Sequence, residues 1–376
     1  MSKIYLGANV FAAALERIGR LFDTFDEVIV DVSGGKDSTV VLNLALMVAE
    51  QKGRLPLSVL FLDQEAEWDT VIDHVRQIMG DPRVRPYWFQ GPFKLFNATS
   101  TGEPWLYCWQ EGKTWIREKE PDSIHDNRLG TDRFKPLFDA FPKVMFPNRS
   151  TAQISGVRCE ESPGRLKGLT GGATFQDITW GRIITKKAPG HYTFYPLYDW
   201  GYRDIWKAIH DNGWDYCRLY DFEYQYGVPV LDMRVSNVHH ETAVHSLKFL
   251  QEIEPETWNR ITARVSGVNA VSQARETYEV PKALPFMFPN WREYRDYLLE
   301  HLITDPAIRE VFRHKFALID AQFLPEAQES LTKCEISAIL VNDYEGTKLG
   351  NFASGHDRLR KGFGKGRDRF SYHEPA

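Results

Sequence analysis

The most constraining feature of this chain is a short polar loop at residues 33–38, between an apolar strand and a helix-like run. The strand is predicted at 28–32 and the helix at 38–50. Two adjacent glycines permit positive φ and a close backbone approach, and the N–H groups at the start of a helix attract an anion. The sequence therefore predicts a phosphate-binding loop formed by Ser33, Gly34, Gly35, Lys36, Asp37 and Ser38.

The side chains of this loop strengthen the prediction. Ser33 and Ser38 supply hydroxyl donors and Lys36 supplies a positive charge. Asp37 lies in the first turn of the predicted helix, where it either holds Mg²⁺ through an oxygen or caps the helix. A Walker A loop is excluded, because that motif needs a second glycine five positions before Gly35.

Apolar strands alternate with amphipathic helices through the first half of the chain. The strands are predicted at 28–32, 57–62, 84–89 and 152–157, and the helices at 10–22, 38–50, 66–79 and 202–212. This alternation predicts an α/β fold with a parallel sheet, whose ligands bind beyond the carboxyl ends of the strands. Asp63 and Glu65 follow the second strand, where they either contact a metal or ribose or are solvated at the strand end.

The pattern divides the chain into three parts. Residues 1–235 form the predicted nucleotide-binding domain, with a partly helical insertion over the site at about 100–150 and a loop or hairpin at 168–190. Residues 236–345 are predicted to be mostly helical. Residues 346–376 contain seven Lys or Arg against three Asp or Glu, and six glycines. They are predicted as a weakly ordered tail, either merely solvated or an arm for DNA or an acidic partner.

Composition excludes several classes of protein. The net charge of −5 gives no global nucleic-acid signature. No apolar run approaches 18 residues and no basic-then-apolar leader is present, which predicts a cytoplasmic protein without a membrane span. The four cysteines form no C-x-x-C pair, so neither an iron–sulfur cluster nor zinc is expected.

Four blocks of sequence, in order, resemble the phosphoadenylyl-sulfate (PAPS) reductase-like group of PP-loop ATP pyrophosphatases. The blocks are 32–38, 61–63, 155–165 and 195–206. The resemblance implies a doubly wound parallel sheet of the adenine nucleotide alpha hydrolase-like kind, which binds ATP or PAPS with Mg²⁺. It also implies an anion-binding segment, which here contains Gly156, Arg158 and Arg165.

Lys36 and Arg158 are the predicted catalytic residues, because their charges suit transfer at a phosphate. Arg158 either contacts the anion or pairs with a carboxylate such as Glu160. Two further stretches, 226–235 and 253–269, resemble a narrower branch that includes the immunoglobulin-binding regulator A type. That resemblance implies a ParB-like protein partner.

One departure from the reductases bears on the chemistry. The Glu-Cys-Gly segment that carries their nucleophile is missing, and the nearest counterpart surrounds Cys334. Three hypotheses follow. The first is an ATP pyrophosphatase that adenylates an acceptor, and the second is a thiol-dependent reductase using Cys159, which is otherwise a bystander thiol. The third is a nucleotide-sensing regulator that acts with DNA or a ParB-like protein.

Overall fold

A computed structural model gives the structure of the protein. It describes residues 6–100, 102–170, 172, 174–183, 190–235, 237, 247–273 and 280–361. The strands are β1 (Glu27–Asp31), β2 (Leu57–Leu62), β3 (Val84–Phe89), β4 (Phe93–Phe96), β5 (Trp105–Cys108), β6 (Thr151–Ile154), β7 (Gly181–Ile183) and β8 (His191–Phe194).

Six of these strands form one sheet in the order β3-β2-β1-β6-β8-β7. All neighbours are parallel except β7, which runs antiparallel to β8. Strand β1 is central: Val30 lies beside Val59 of β2 on one side and Ile154 of β6 on the other. Because strands are added first on one side of β1 and then on the other, the sheet is doubly wound, which confirms the predicted fold class.

Fourteen α-helices are assigned in the described residues. They are α1 (Val10–Thr24), α2 (Lys36–Gln51), α3 (Asp69–Met79), α4 (Phe134–Met145), α5 (Pro163–Thr170), α6 (Tyr202–Asn212), α7 (Leu219–Tyr226), α8 (Leu247–Ile253), α9 (Pro255–Arg264), α10 (Val268–Gln273), α11 (Trp291–Leu302), α12 (Pro306–Asp320), α13 (Gln328–Leu340) and α14 (Thr347–Gly355). Helix α6 ends at Gly213, whose φ of 62° supplies the left-handed cap. None of the described helices is long and apolar enough to cross a membrane.

The elements predicted from apolar patterns are mostly confirmed. The first three strands differ from the prediction by at most one residue at either end, whereas β6 ends at Ile154 rather than at 157. The chain leaves the sheet early because Gly156 packs against the start of α2. The short strands β4 and β5, which form an antiparallel pair, were not predicted.

Two hydrophobic cores organise the described residues. The first joins the sheet and its helices and extends to Trp258, Ile261 and Val268, in the C-terminal half. The second is built from helices α11 to α14. Residues 247–268 therefore share a core with the sheet, and the predicted boundary at 235 stays a prediction.

The prediction of a weakly ordered tail at 346–376 is wrong for the first part of that segment. Residues 347–355 form α14, which packs against α13 and α5 and buries Leu349 in the second core. The glycines at 350 and 355 are accommodated within this helix. The last part of the tail, residues 362–376, lies outside the described residues, as do parts of 168–190.

The turn at residues 97–100, which follows β4, joins the two cores. Asn342 donates to the carbonyl of Ala98 at 2.9 Å, and Tyr344 donates to the carbonyl of Ser100 at 2.8 Å. Gly267 has a φ of +87°, and a Cβ there would lie 2.0 Å from the carbonyl oxygen of Thr99. Only glycine fits this backbone contact, which makes the turn a fixed junction between the sheet and the C-terminal helices.

We expect Gly267→Ala to lower the free energy of unfolding more than Gly227→Ala does. Both glycines have positive φ, but a Cβ on Gly227 would meet no atom within 4 Å. Backbone strain alone costs about 1–2 kcal/mol, and the clash at Gly267 adds roughly 1–3 kcal/mol. Urea denaturation of the full chain measures both values. Equal losses would show that the contact with Thr99 is not a tight junction.

Candidate functional site: the loop between β1 and α2

The loop after β1 is shaped by its two glycines. Gly34 has a φ of +73°, and a Cβ on it would lie 2.6 Å from Cγ1 of Val71 in α3. Gly35 is the residue that precedes α2 and carries no side chain that could bond the helix N-terminus. The first N–H groups of a helix have no acceptor within the helix. In α2 the helical hydrogen bonds begin with the N–H of Thr39, which donates to the carbonyl of Gly35 at 3.0 Å. The start of α2 is therefore a concentration of N–H donors.

The two serines hold the loop in this shape. The hydroxyl of Ser38 donates to the carbonyl of Gly35 at 2.8 Å and accepts the backbone N–H of Ser33 at 3.2 Å. Ser38 is buried, whereas Ser33 is exposed. Ser38 thus closes the loop, and Ser33 is the serine whose side chain faces solvent. Direct phosphate contact by either hydroxyl stays a prediction.

A chain of charges runs along one side of the loop. The ammonium of Lys36 lies 3.2 Å from one oxygen of Asp37, and Nε of Arg158 donates to the other at 2.5 Å. Arg158 also lies 3.3 Å from Glu160. This is the pairing with a carboxylate that the sequence analysis gave as the alternative to anion contact. Its guanidinium is buried, with 6% of the side chain exposed. The two cations predicted to be catalytic are therefore brought together through a single carboxylate.

These contacts bear on the predicted Mg²⁺ site. Each oxygen of Asp37 already faces a protein cation, and no group of three or more metal-binding side chains exists among the described residues. Coordination of Mg²⁺ by Asp37 stays a prediction.

Gly156 brings the segment after β6 against the loop. A Cβ on Gly156 would lie 2.5 Å from the carbonyl oxygen of Asp37 and 2.9 Å from the backbone nitrogen of Ser38. The glycine therefore permits backbone-to-backbone contact with the first turn of α2. This contact lies between β1 and β6, where the strand order reverses and open α/β sheets bind their ligands.

Arg165 lies in a different environment from Lys36 and Arg158, the other two cationic residues predicted for the site. It lies in α5, where about half of its side chain is exposed and Nε is 3.3 Å from Glu161. Burial raises the pKa of Glu161, and the neighbouring arginines partly offset this effect. The described contacts of Arg165 do not reach the loop, so its phosphate role stays a prediction.

Asp63 and Glu65 are fully buried beyond the end of β2. Asp63 accepts hydrogen bonds from Trp88 at 2.8 Å and Gln90 at 2.9 Å, and it pairs with Arg117. Its oxygens are thus bonded to the sheet and to the predicted insertion. Contact of these carboxylates with a metal or with ribose stays a prediction. The alternative, solvation at the strand end, is wrong, because both carboxylates are buried and brace neighbouring segments.

Glu65 connects the sheet to the C-terminal half. It accepts from the backbone N–H of Trp109 at 2.6 Å and from Nε of Arg264 at 2.7 Å. Glu67 lies near Asp63 and is also buried. Burial, together with the charge of Asp63, raises the pKa of Glu67 to about 8, so this carboxyl is mainly protonated at neutral pH. The cluster holds helix α9 and the insertion against the edge of the site.

Tyr220 of α7 was not predicted as a site residue. Its hydroxyl accepts the backbone N–H of Lys36 at 3.1 Å, and the ammonium of Lys36 lies 5.1 Å from the centre of its ring. The ring is buried and packs edge-on against Trp206. The sequence does show that aromatic residues are concentrated at 192–226, but this pattern does not indicate which of the rings contacts the loop.

The cysteines differ in their surroundings. Cys108 and Cys217 are buried, and burial raises the pKa of Cys217 and of Cys334 to about 12. Cys159 is partly exposed and directly follows Arg158. Of the four thiols, Cys159 alone adjoins the charge chain of the loop.

Two family models match the chain. Residues 135–226 match the phosphoadenosine phosphosulfate reductase domain, and residues 227–361 match a domain of unknown function, DUF3440. The first match contains Gly156, Arg158 and Tyr220. The phosphate loop itself lies before it in the sequence.

A relative from Escherichia coli (strain K12), the uncharacterized protein YbdN, is 31% identical over 334 residues, which are 84% of this chain and 80% of the relative. The chain therefore belongs to the family of YbdN, within the PAPS reductase-like group of PP-loop proteins. The resemblance found in the sequence to that group is confirmed.

Solved structures with a similar fold include two fungal enzymes. PAPS reductase from Candida auris is 14% identical, with a TM-score of 0.36 over 64% of this chain and 99% of that chain. FMN adenylyltransferase from Candida glabrata, in complex with FMN and an ATP analogue, is 16% identical, with a TM-score of 0.37 over 63% of this chain and 66% of that chain. Similarity at this level carries no argument about substrate.

We expect Gly156→Ala to weaken nucleotide binding, because its Cβ would push the segment after β6 away from the first turn of α2. The matched control is Gly168→Ala in α5, where a Cβ would meet nothing within 4 Å. Calorimetric titration with ATP should give at least a tenfold higher Kd for Gly156→Ala, which is about 1.4 kcal/mol. Unchanged affinity in both variants would show that this contact does not shape the binding site.

Proposed function

We propose that the protein binds ATP on the 33–38 loop and transfers its adenylyl group to an acceptor oxygen, releasing pyrophosphate. The observation that carries this proposal is the convergence of the α2 N-terminus, Lys36 and Arg158 at the point where the strand order reverses. Helix N–H groups and two cations in one place suit a polyphosphate. Membership of the PAPS reductase-like group supports an adenine nucleotide as the ligand.

The proposed reaction is an in-line displacement. An acceptor oxygen attacks the α-phosphorus, the bond from that phosphorus to the α–β bridging oxygen breaks, and the acceptor proton passes to solvent. Negative charge increases on the leaving pyrophosphate, and positioning and charge neutralisation supply most of the catalysis in such transfers. Lys36 and Arg158 stabilise this charge once their contacts with Asp37 are exchanged for phosphate oxygens.

The same exchange explains why a carboxylate lies inside an anion site. Asp37 keeps Lys36 and Arg158 at fixed positions while no phosphate is present, since each cation faces one of its oxygens. Two cations held at short distance would otherwise repel each other. A triphosphate carries more negative charge than one carboxylate, so it competes effectively for both.

Thiol-dependent reduction of PAPS is the second candidate, because partly exposed Cys159 directly follows Arg158. A cation beside a thiol favours the thiolate. Reduction yields sulfite, whereas adenylyl transfer yields pyrophosphate, and the two products separate the hypotheses.

We expect the full-length protein to convert ATP to AMP and pyrophosphate in equal amounts, with water as the acceptor. Lys36→Ala should weaken ATP binding by about 1.5–3 kcal/mol, the range for charge-assisted hydrogen bonds. Lys52→Ala is the matched control, since Lys52 pairs with Asp23 outside the site. Product analysis by anion-exchange chromatography and titration calorimetry give the two measurements.

Three results would contradict the proposal. ADP and phosphate as products would place the cleavage at the wrong bond. Sulfite release from PAPS without pyrophosphate release from ATP would identify the reductase. Tight binding of ATP without any turnover, with or without added acceptors, would favour a nucleotide sensor.

A further inference from the structure

Helix α7 makes a contact with the phosphate loop that the proposed chemistry does not yet use. The N–H of Lys36 is the first in α2, and such groups are the donors that bind anions at a helix N-terminus. Here that donor is taken by the hydroxyl oxygen of Tyr220, at 3.1 Å. The same oxygen would lie 3.4 Å from a Cβ on Gly35, so it sits over the start of the helix. A protein hydroxyl therefore occupies a position where a phosphate oxygen would otherwise bind.

The proton of this hydroxyl has no acceptor in the part of the chain that the structure describes. A tyrosine hydroxyl can accept two hydrogen bonds and donate one. Among the described residues, the hydroxyl of Tyr220 makes one hydrogen bond, which it accepts from the N–H of Lys36. A buried donor without a partner is costly, which indicates that an acceptor completes the site when it is loaded.

The tyrosine is fixed in place rather than free to swing away. Only 3% of it is exposed, and its ring centre lies 5.3 Å from that of Trp206 in an edge-on contact. The Lys36 ammonium lies over the same ring at 5.1 Å. Burial raises the pKa of Tyr220 far above its ordinary value, so the hydroxyl keeps its proton at physiological pH.

We propose that Tyr220 is a phosphate-binding residue, which accepts the first N–H of α2 and donates its own O–H to a phosphate oxygen of the nucleotide. This inference rests on the proposed binding of ATP at the 33–38 loop, and it names a contact of that same site. The hydroxyl of Tyr220 would thus replace the N–H of Lys36 as the donor to phosphate, one hydrogen-bond length further from the helix. The ammonium of Lys36 lies over the ring of the same tyrosine, so one phosphate can meet the neutral hydroxyl and the charged group together.

The test compares Tyr220→Phe with Tyr216→Phe in the full-length protein. Both tyrosines pack edge-on against Trp206, and the hydroxyl of Tyr216 donates to Asp221 at 2.6 Å instead of approaching the loop. Titration calorimetry with ATP and, separately, with adenosine measures whether the lost hydroxyl acts on phosphate. Thermal unfolding without ligand reports any general loss of stability in either variant.

We expect Tyr220→Phe to raise the Kd for ATP about tenfold or more, because a hydrogen bond to a charged group is lost. The Kd for adenosine should stay within about twofold, and Tyr216→Phe should change neither value by more than that. A merely structural role would weaken both ligands together. That result, or an unchanged Kd for ATP, would overturn the inference.

A tighter Kd for ATP in Tyr220→Phe would overturn it in another way, because it would show that the hydroxyl blocks the Lys36 N–H rather than extending it. The test is separate from that of the proposed reaction. If the wild type binds ATP but releases no pyrophosphate, only the proposed reaction fails, and the comparison of Kd values still stands. If the wild type does not bind ATP, both fail.

Discussion

The contact between Gly156 and the first turn of α2 is the constraint on which the site depends. The absence of a side chain lets the segment after β6 approach the backbone of Asp37 more closely than any other residue would permit. That approach places Arg158, two residues further on, against the carboxylate of Asp37. The placement of Arg158 beside the loop, at the point where the strand order reverses, thus depends on one backbone contact.

The C-terminal half also supports the site. Arg264 of α9 pairs with Glu65, and Glu254 accepts the N–H groups of Asp69 and Thr70 at the start of α3. A carboxylate at this position complements the helix dipole. The segment matched by the domain of unknown function therefore braces the strand ends that carry the site, and its helices α8 to α10 share a core with the sheet.

The sequence predicts what local patterns encode. Apolar runs give β1, β2 and β3 nearly to the residue, and the Gly-Gly turn before a helix gives the anion loop. Tyr220 was missed because its contact with Lys36 joins residues 184 positions apart, which no local pattern records. Asp63 illustrates the opposite case: a polar residue at a strand end was read as exposed or ligand-binding, yet Trp88 and Arg117 satisfy it inside the protein.

A crystal structure with α,β-methylene ATP tests the central claim most directly, because that analogue cannot release pyrophosphate. We expect phosphate oxygens within about 3.2 Å of the backbone nitrogens of the 33–38 loop. We also expect Lys36 and Arg158 to contact phosphate instead of Asp37. A nucleotide bound elsewhere on the protein, with the contacts of Asp37 unchanged, would contradict it.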